Sequence, residues 1–139
     1  MSDRVFGGCL CGQIRYSFDK SQVISAHHCH CTDCQKSTGS GKATIVLVPT
    51  TAFDLEGKLK TYTVTGTDGS HVTRGFCDNC GSPLVSFIEE NPALRIIKAG
   101  CIFDSSWIEI SSSFWSDSAV AWSPVDEEHP FVPQNPNMA

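Results

Sequence analysis

Cys9-Leu10-Cys11 and Cys77-Asp78-Asn79-Cys80 are two close cysteine pairs set far apart in the chain. Each pair can deliver two thiolates from one turn, and two such pairs are the usual way of building a closed tetrahedral zinc site. Gly8, Gly12 and Gly81 flank these cysteines, where a tight knuckle needs positive φ or a close backbone approach. Four thiolates leave the metal no open position, so this group is expected to be structural. Taken alone, Cys77-x-x-Cys80 would also suit a redox pair, but no βαβ pattern surrounds it.

A second group, Cys29-His30-Cys31-Thr32-Asp33-Cys34, packs three cysteines into six residues. Cysteines this close do not pair readily as disulfides, yet they can converge on one ion. Three protein ligands with an exchangeable fourth position is the pattern of a catalytic zinc. The alternative is a distant side chain that closes the site, with His27, His28, His30, His71 and Cys101 as candidates. His30, lying between two ligands in an extended stretch, is expected to point away from the ion. All-sulfur ligation makes the centre anionic and a modest Lewis acid, and its natural fourth ligand is another soft sulfur. A thiol bound there loses its proton more readily. That favours thiol chemistry, such as addition to a carbonyl, over hydrolysis. The segment Gln35 to Ser40 follows directly, and its lysine and hydroxyls are candidates for holding a substrate carboxylate. Asp33 and His30 are candidates for moving protons. Cys101, after Gly100 at the end of an apolar stretch, reads as a small buried hydrophobe. Trp107, Trp115 and Trp122 read as core or rim.

The elements that must position these groups are mostly strand-like. Gln13 to Phe18 alternates, with Ile14, Tyr16 and Phe18 on one face. Ala43 to Val48 is a continuous apolar run ended by Pro49, which suits a buried strand. Val72, Arg74 and Phe76 alternate into the Cys77 turn. Leu84 to Ile88, Arg95 to Ala99 and Trp107 to Ile110 read as further strands, and Tyr62 to Thr65 is rich in β-formers. The best helical candidate is one short turn over Asp33 to Ser37, capped by Thr32 and stopped at Gly39. The class is therefore mainly β, in small sheets.

The chain has 139 residues, the size of one domain, and can bury a real core. One domain is expected over residues 4–125, followed by a Pro-rich arm over 126–139 that Phe131 and Val132 would pin. Pro130, Pro133 and Pro136 lie in that arm, with Pro124 just upstream. The formal net charge is −5, and no Lys/Arg cluster exists to serve a phosphate backbone, so no nucleic-acid partner is expected. No apolar stretch is long enough to cross a bilayer, so no membrane partner is expected. The first residues lack a basic region followed by an apolar run, which predicts a cytoplasmic protein. In a reducing compartment, eight cysteines argue for metal or catalysis rather than disulfides.

Three motifs, in order, resemble one family. They are Gly7-Gly8-Cys9-Leu10-Cys11-Gly12, then His28-Cys29-His30-Cys31-x-x-Cys34-Gln35-Lys36-x-x-Gly39-Ser40, then Arg74-Gly75-Phe76-Cys77-x-x-Cys80-Gly81-Ser82-x-Leu84. The chain resembles the glutathione-dependent formaldehyde-activating enzymes, a family that includes the centromere-protein-V-like proteins. The resemblance implies an Mss4-like fold of small antiparallel sheets with zinc knuckles. It implies two zinc sites: Cys9, Cys11, Cys77 and Cys80 as structural ligands, and Cys29, Cys31 and Cys34 on a catalytic-type zinc. The second site, with three ligands, binds less tightly and is expected to be only partly filled. The implied activity is carbon–sulfur lyase chemistry on a thiol–aldehyde adduct, with glutathione or a similar small thiol and formaldehyde or a related aldehyde as partners. A non-catalytic protein-interaction module on the same scaffold is the alternative.

Overall fold

The computed structural model describes residues 3–136. Among these the order is β1 Arg4–Gly8, β2 Arg15–Asp19, β3 Ser25–Cys29, α1 Thr32–Thr38, β4 Ala43–Pro49, β5 Phe53–Glu56, β6 Leu59–Thr65, β7 His71–Cys77, β8 Pro83–Ile88, β9 Asn91–Lys98 and β10 Ser112–Phe114. The fold is mainly β, as the patterning predicts. The chain forms two compact units. One comprises the chain up to Ile24 with Val46–Trp107, and the other comprises Ser25–Ile45 with the chain from Ile108 onward. Strand β4 begins in the second unit and continues into the first. No helix among the described residues is long and apolar enough to cross a membrane.

In the first unit, β1, β2 and β5 form an antiparallel sheet with β2 in the middle. The alternation read from the sequence sets its inner face: Ile14, Tyr16 and Phe18 are at most 3% exposed. Strands β6, β7, β8 and β9 form an antiparallel meander. Val46, Val48, Leu84, Val85 and Ile97 are almost wholly buried and supply much of this unit's core. On β7 the buried residues are Thr73, Gly75 and Cys77, while the alternating trio Val72, Arg74 and Phe76 is only half-buried. The inward face is thus the face that carries Cys77. Gly75 fits there because a Cβ would come within 2.8 Å of the Leu59 side chain.

In the second unit β3 and β10 pair in parallel, with His27 opposite Ser112 and Cys29 opposite Phe114. The resemblance implies small antiparallel sheets, which the other described strand pairs of β1, β2, β5 and of the β6–β9 meander form, and this one pair is parallel. The strand expected at Trp107 to Ile110 does not form, and β10 starts further on. The Asp104 carboxylate accepts from the Ser106 N–H (3.1 Å) and hydroxyl (2.6 Å), and the Trp107 indole donates to the Asp104 carbonyl (2.7 Å). These local bonds hold a turn where β-propensity alone favours a strand. Helix α1 is capped by Cys31 rather than Thr32: the Cys31 sulfur accepts the Cys34 N–H at 3.2 Å. Gly39 ends the helix with φ of 69°.

The chain near its C-terminus is laced to the segment after β10. Ser113 exchanges bonds with Pro130 and Val132, and the N–H groups of Trp115, Ser116 and Asp117 donate to Gln134, Val132 and Pro133. Residues 137–139 of the expected arm lie outside the described residues.

Candidate metal centres

The first candidate centre lies in the first unit. Cys9 and Cys11 follow β1, while Cys77 ends β7 and Cys80 lies in the turn before β8. The sulfurs of these four residues all lie within 4.8 Å of one another. A tetrahedral zinc with Zn–S of about 2.3 Å requires S···S edges of about 3.8 Å. Cys9 and Cys11 are separated by 3.6 Å and Cys11 and Cys77 by 3.7 Å, so the donor set fits. All eight cysteines are free thiols.

Each knuckle is built locally. Gly12 and Gly81 occupy left-handed backbone at φ of 83° and 78°. Their N–H groups close the turns onto the Cys9 carbonyl (3.2 Å) and the Cys77 carbonyl (2.9 Å). Gly8 is needed for approach, since a Cβ would come within 2.6 Å of the Ile14 carbonyl. The Ile14 N–H donates to the Cys9 sulfur at 3.2 Å.

Ser82 joins the two knuckles. Its hydroxyl accepts the Leu10 N–H at 3.0 Å and lies 3.2 Å from the Cys80 sulfur. That hydroxyl, the Ser82 N–H and the Cys11 N–H bring the Cys80 thiol down to about 5, so it is poised as a thiolate. Cys77 is held at about 11. Hydrogen bonding from the Cys80 backbone lowers it, but burial and the neighbouring thiols outweigh that. In the sequence Ser82 stands only as one position of a motif, and its hydroxyl's role depends on a turn geometry that spacing does not specify.

The second candidate centre lies in the second unit. Cys29 ends β3, Cys31 caps α1 and Cys34 lies in the first turn of α1. Their sulfurs lie within 4.8 Å of one another. Among the described residues no other His, Cys, Asp or Glu joins this group. The Cys31 and Cys34 sulfurs, with burial, push the Cys29 thiol far up. Three crowded sulfurs cannot all carry charge unless a cation shares the site, so the cluster suits a soft divalent ion.

The five candidates for closing this group are placed as follows. His27 has both ring nitrogens occupied by Ser112 and Ser25 hydroxyls, each at 2.7 Å, and stacks on Phe114. His28 bonds the Thr44 hydroxyl through Nδ1 at 2.8 Å. His71 faces the Glu90 carboxylate at 3.1 Å, and Cys101 donates to the Pro83 carbonyl at 3.1 Å. His30 is wholly buried outside the sulfur group, and neither ring nitrogen makes a well-formed hydrogen bond within the chain. Burial holds His30 and His28 below the ordinary imidazole range, and the Lys42 ammonium adds to this in both.

The segment after Cys34 is largely committed to the fold. The Ser37 and Thr38 hydroxyls donate to the Cys34 carbonyl at 3.2 and 2.8 Å. The Gln35 amide donates to the His30 and Ser118 carbonyls, each at 2.9 Å. Of the lysine and hydroxyls that the sequence offers for a substrate carboxylate, Ser37 and Thr38 have thus already given their hydrogens to the fold. The cation whose field reaches His28 and His30 is Lys42, six residues beyond the lysine in that segment.

A third group, His71 with Glu89 and Glu90, brings together potential ligand atoms on the exposed surface of the meander. It is readily understood as an ion-paired clamp between β7 and the β8–β9 turn.

The family described as glutathione-dependent formaldehyde-activating enzyme matches residues 4–118. A Rhodobacter sphaeroides protein of solved structure is similar in fold, with a TM-score of 0.56 and 19% identity, over 70% of this chain and 87% of that one. No curated protein matches the chain. Because the family match takes in both cysteine groups and most of the described residues, the chain belongs to the glutathione-dependent formaldehyde-activating enzyme family.

Proposed function

We propose that this protein is a zinc-dependent carbon–sulfur lyase-type enzyme that makes and breaks the adduct of a small thiol and an aldehyde. Glutathione and formaldehyde are the pair that the family description carries. The observation that supports this most directly is the three-sulfur group of Cys29, Cys31 and Cys34, which no fourth ligand side chain joins among the described residues. In this proposal Cys9, Cys11, Cys77 and Cys80 hold a structural zinc, and Cys29, Cys31 and Cys34 hold the second. When bound, the second zinc supplies a soft cationic position that lowers the pKa of a substrate thiol.

The chain's own residues do the rest. The three thiolates fix the ion, and the β3–β10 pairing and helix α1 fix the thiolates. Lys42 offers the positive charge for a carboxylate of the thiol substrate. His30, wholly buried between Cys29 and Cys31, offers an imidazole for moving the proton. In the forward step the thiol loses its proton and a sulfur lone pair forms the C–S bond to the carbonyl carbon. The C=O π pair moves onto oxygen, which takes up a proton, and the reverse step restores thiol and aldehyde.

The test uses the protein loaded with Co²⁺. Added glutathione is expected to alter the sulfur-to-cobalt absorption, and formaldehyde is then expected to yield S-hydroxymethylglutathione faster than buffer does. Both effects should disappear in Cys34→Ala. Thiols that leave the cobalt spectrum unchanged would refute the open site. A spectral change without any rate above buffer would refute the formaldehyde assignment.

A further inference from the structure

We infer that Gln35 is the positioning residue of the three-cysteine centre, its side-chain amide clamping the turn between Cys29 and Cys31 to the turn at Ser118. The inference rests on reading Cys29, Cys31 and Cys34 as a metal site. An amide nitrogen carries two hydrogens and no more. Here one is donated to the His30 carbonyl and the other to the Ser118 carbonyl, each at 2.9 Å. Two carbonyl acceptors demand the nitrogen end of the amide, so its orientation is fixed by the partners.

The position of His30 makes this clamp matter. It is the residue between two sulfur donors, and its backbone is secured from both sides. Its N–H donates to the Phe114 carbonyl of β10 at 3.0 Å, and its carbonyl accepts from Gln35. Gln35 is itself anchored, since its N–H donates to the Cys31 carbonyl at 3.0 Å and its carbonyl accepts the Gly39 N–H at 2.8 Å. One residue thus links the helix that presents Cys34 to the turn that presents Cys29 and Cys31. The third contact, Ser118, closes the short 3₁₀ turn Ser116–Ser118, whose N–H returns to the Trp115 carbonyl at 3.0 Å. Without the amide, the His30 carbonyl loses its partner from α1, and the peptide unit between the sulfurs can rotate. The sulfur triangle then no longer has one shape. Outer partners that orient metal ligands in this way typically account for about 10- to 100-fold in metal affinity.

Two substitutions of similar length separate the clamp from mere bulk. Gln35→Met removes both donors, and Gln35→Glu sets carboxylate oxygens against two carbonyl oxygens. Zinc affinity is measured on the full chain by competition with a chelator, together with the absorption of the cobalt-loaded protein. The expected result is a second-site affinity lower by about 10- to 100-fold in Gln35→Met, with altered second-site cobalt bands and an unchanged first site. A residue that merely supported the fold would lower the unfolding midpoint and leave the second-site cobalt bands as they are in wild type. If Gln35→Glu fails to fold, Gln35→Met alone decides. Second-site affinity within about threefold of wild type, with unchanged cobalt bands, would overturn the clamp while leaving the metal site standing. A wild-type chain that takes up a single zinc at saturation would overturn the metal site and the clamp with it. Because the readout is metal affinity, failure of the thiol–aldehyde activity is a separate result.

Discussion

Ser82 shows how a single hydroxyl can link two turns that share no sequence. It accepts from the backbone beside Cys9 and Cys11 and stands beside the sulfur of Cys80. Ser82→Ala keeps all four ligands but leaves the Leu10 N–H and the Cys80 sulfur without that partner. The expected effect is faster zinc loss to a chelator from the four-cysteine centre, by about tenfold or more, with the second centre unchanged. Lys42 has a different role, because its charge rather than its packing is at issue. Lys42→Met is expected to raise KM for glutathione by about tenfold while leaving KM for an uncharged thiol such as 2-mercaptoethanol nearly unchanged. Equal effects on both thiols would rule Lys42 out as the carboxylate partner. The cysteine types and spacings announce the chemistry of both groups without further help. The roles of Ser82 and Gln35 do not follow from spacing, since each depends on a carbonyl or N–H brought in from a distant segment.

Helix α1 puts one sulfur to two uses. Cys31 is the helix cap through its bond to the Cys34 N–H, and it is also a member of the metal-ready group. Cys31→Ser and Cys31→Ala should both lose the second zinc. In the metal-free protein they should differ, because serine remains a good cap while alanine cannot accept the N–H. Cys31→Ala is expected to be less stable than Cys31→Ser by about 1 kcal/mol in urea denaturation. The sequence pointed to this helix and its stop at Gly39 but placed the cap on Thr32, since hydroxyls are the commoner caps. The meander carries its own pH-dependent clamp. Bonding to Glu90 raises His71 above the ordinary 6.5, and the bond from the His71 N–H, with the ring contact, lowers Glu90 below the ordinary 4.5. The His71 contribution is full below about 6.5 and fades as pH rises through its higher folded value. The Glu90 contribution is full above about 4.5 and fades as pH falls through its lower folded value. The stability difference between wild type and His71→Gln should therefore be greatest between about pH 4.5 and 6.5 and shrink at alkaline pH. A difference that stays unchanged from about pH 5.5 up to about pH 9 would remove the clamp. Strands β2 and β4 were legible because alternation and a closed apolar run each dictate one burial pattern. Trp107 to Ile110 forms no strand because the Asp104 turn is a side-chain effect that outweighs β-propensity.

At the scale of the whole molecule, each compact unit contains one cysteine group. The chain should therefore take up two zinc ions at saturation. Cys80→Ala and Cys34→Ala should each lose one, as counted by metal analysis after gel filtration. Hydrogen exchange should locate the loosening caused by Cys80→Ala in β1, β7 and β8, and that caused by Cys34→Ala in β3 and α1. The mainly β class was readable from local patterns, whereas the parallel pairing of β3 with β10 was not. That pairing joins segments more than eighty residues apart, and nothing in either segment names the other. It also gives protein synthesis a fixed order. Chains emerge from the ribosome N-terminus first, so every ligand of the four-sulfur group has been made once Cys80 is added. The Cys29, Cys31 and Cys34 thiols are made far earlier than the strand and the Ser118 carbonyl that hold their turn. Over that interval the nascent chain carries three thiols with no completed frame, and a ribosome stalled before residue 112 would leave them in that state.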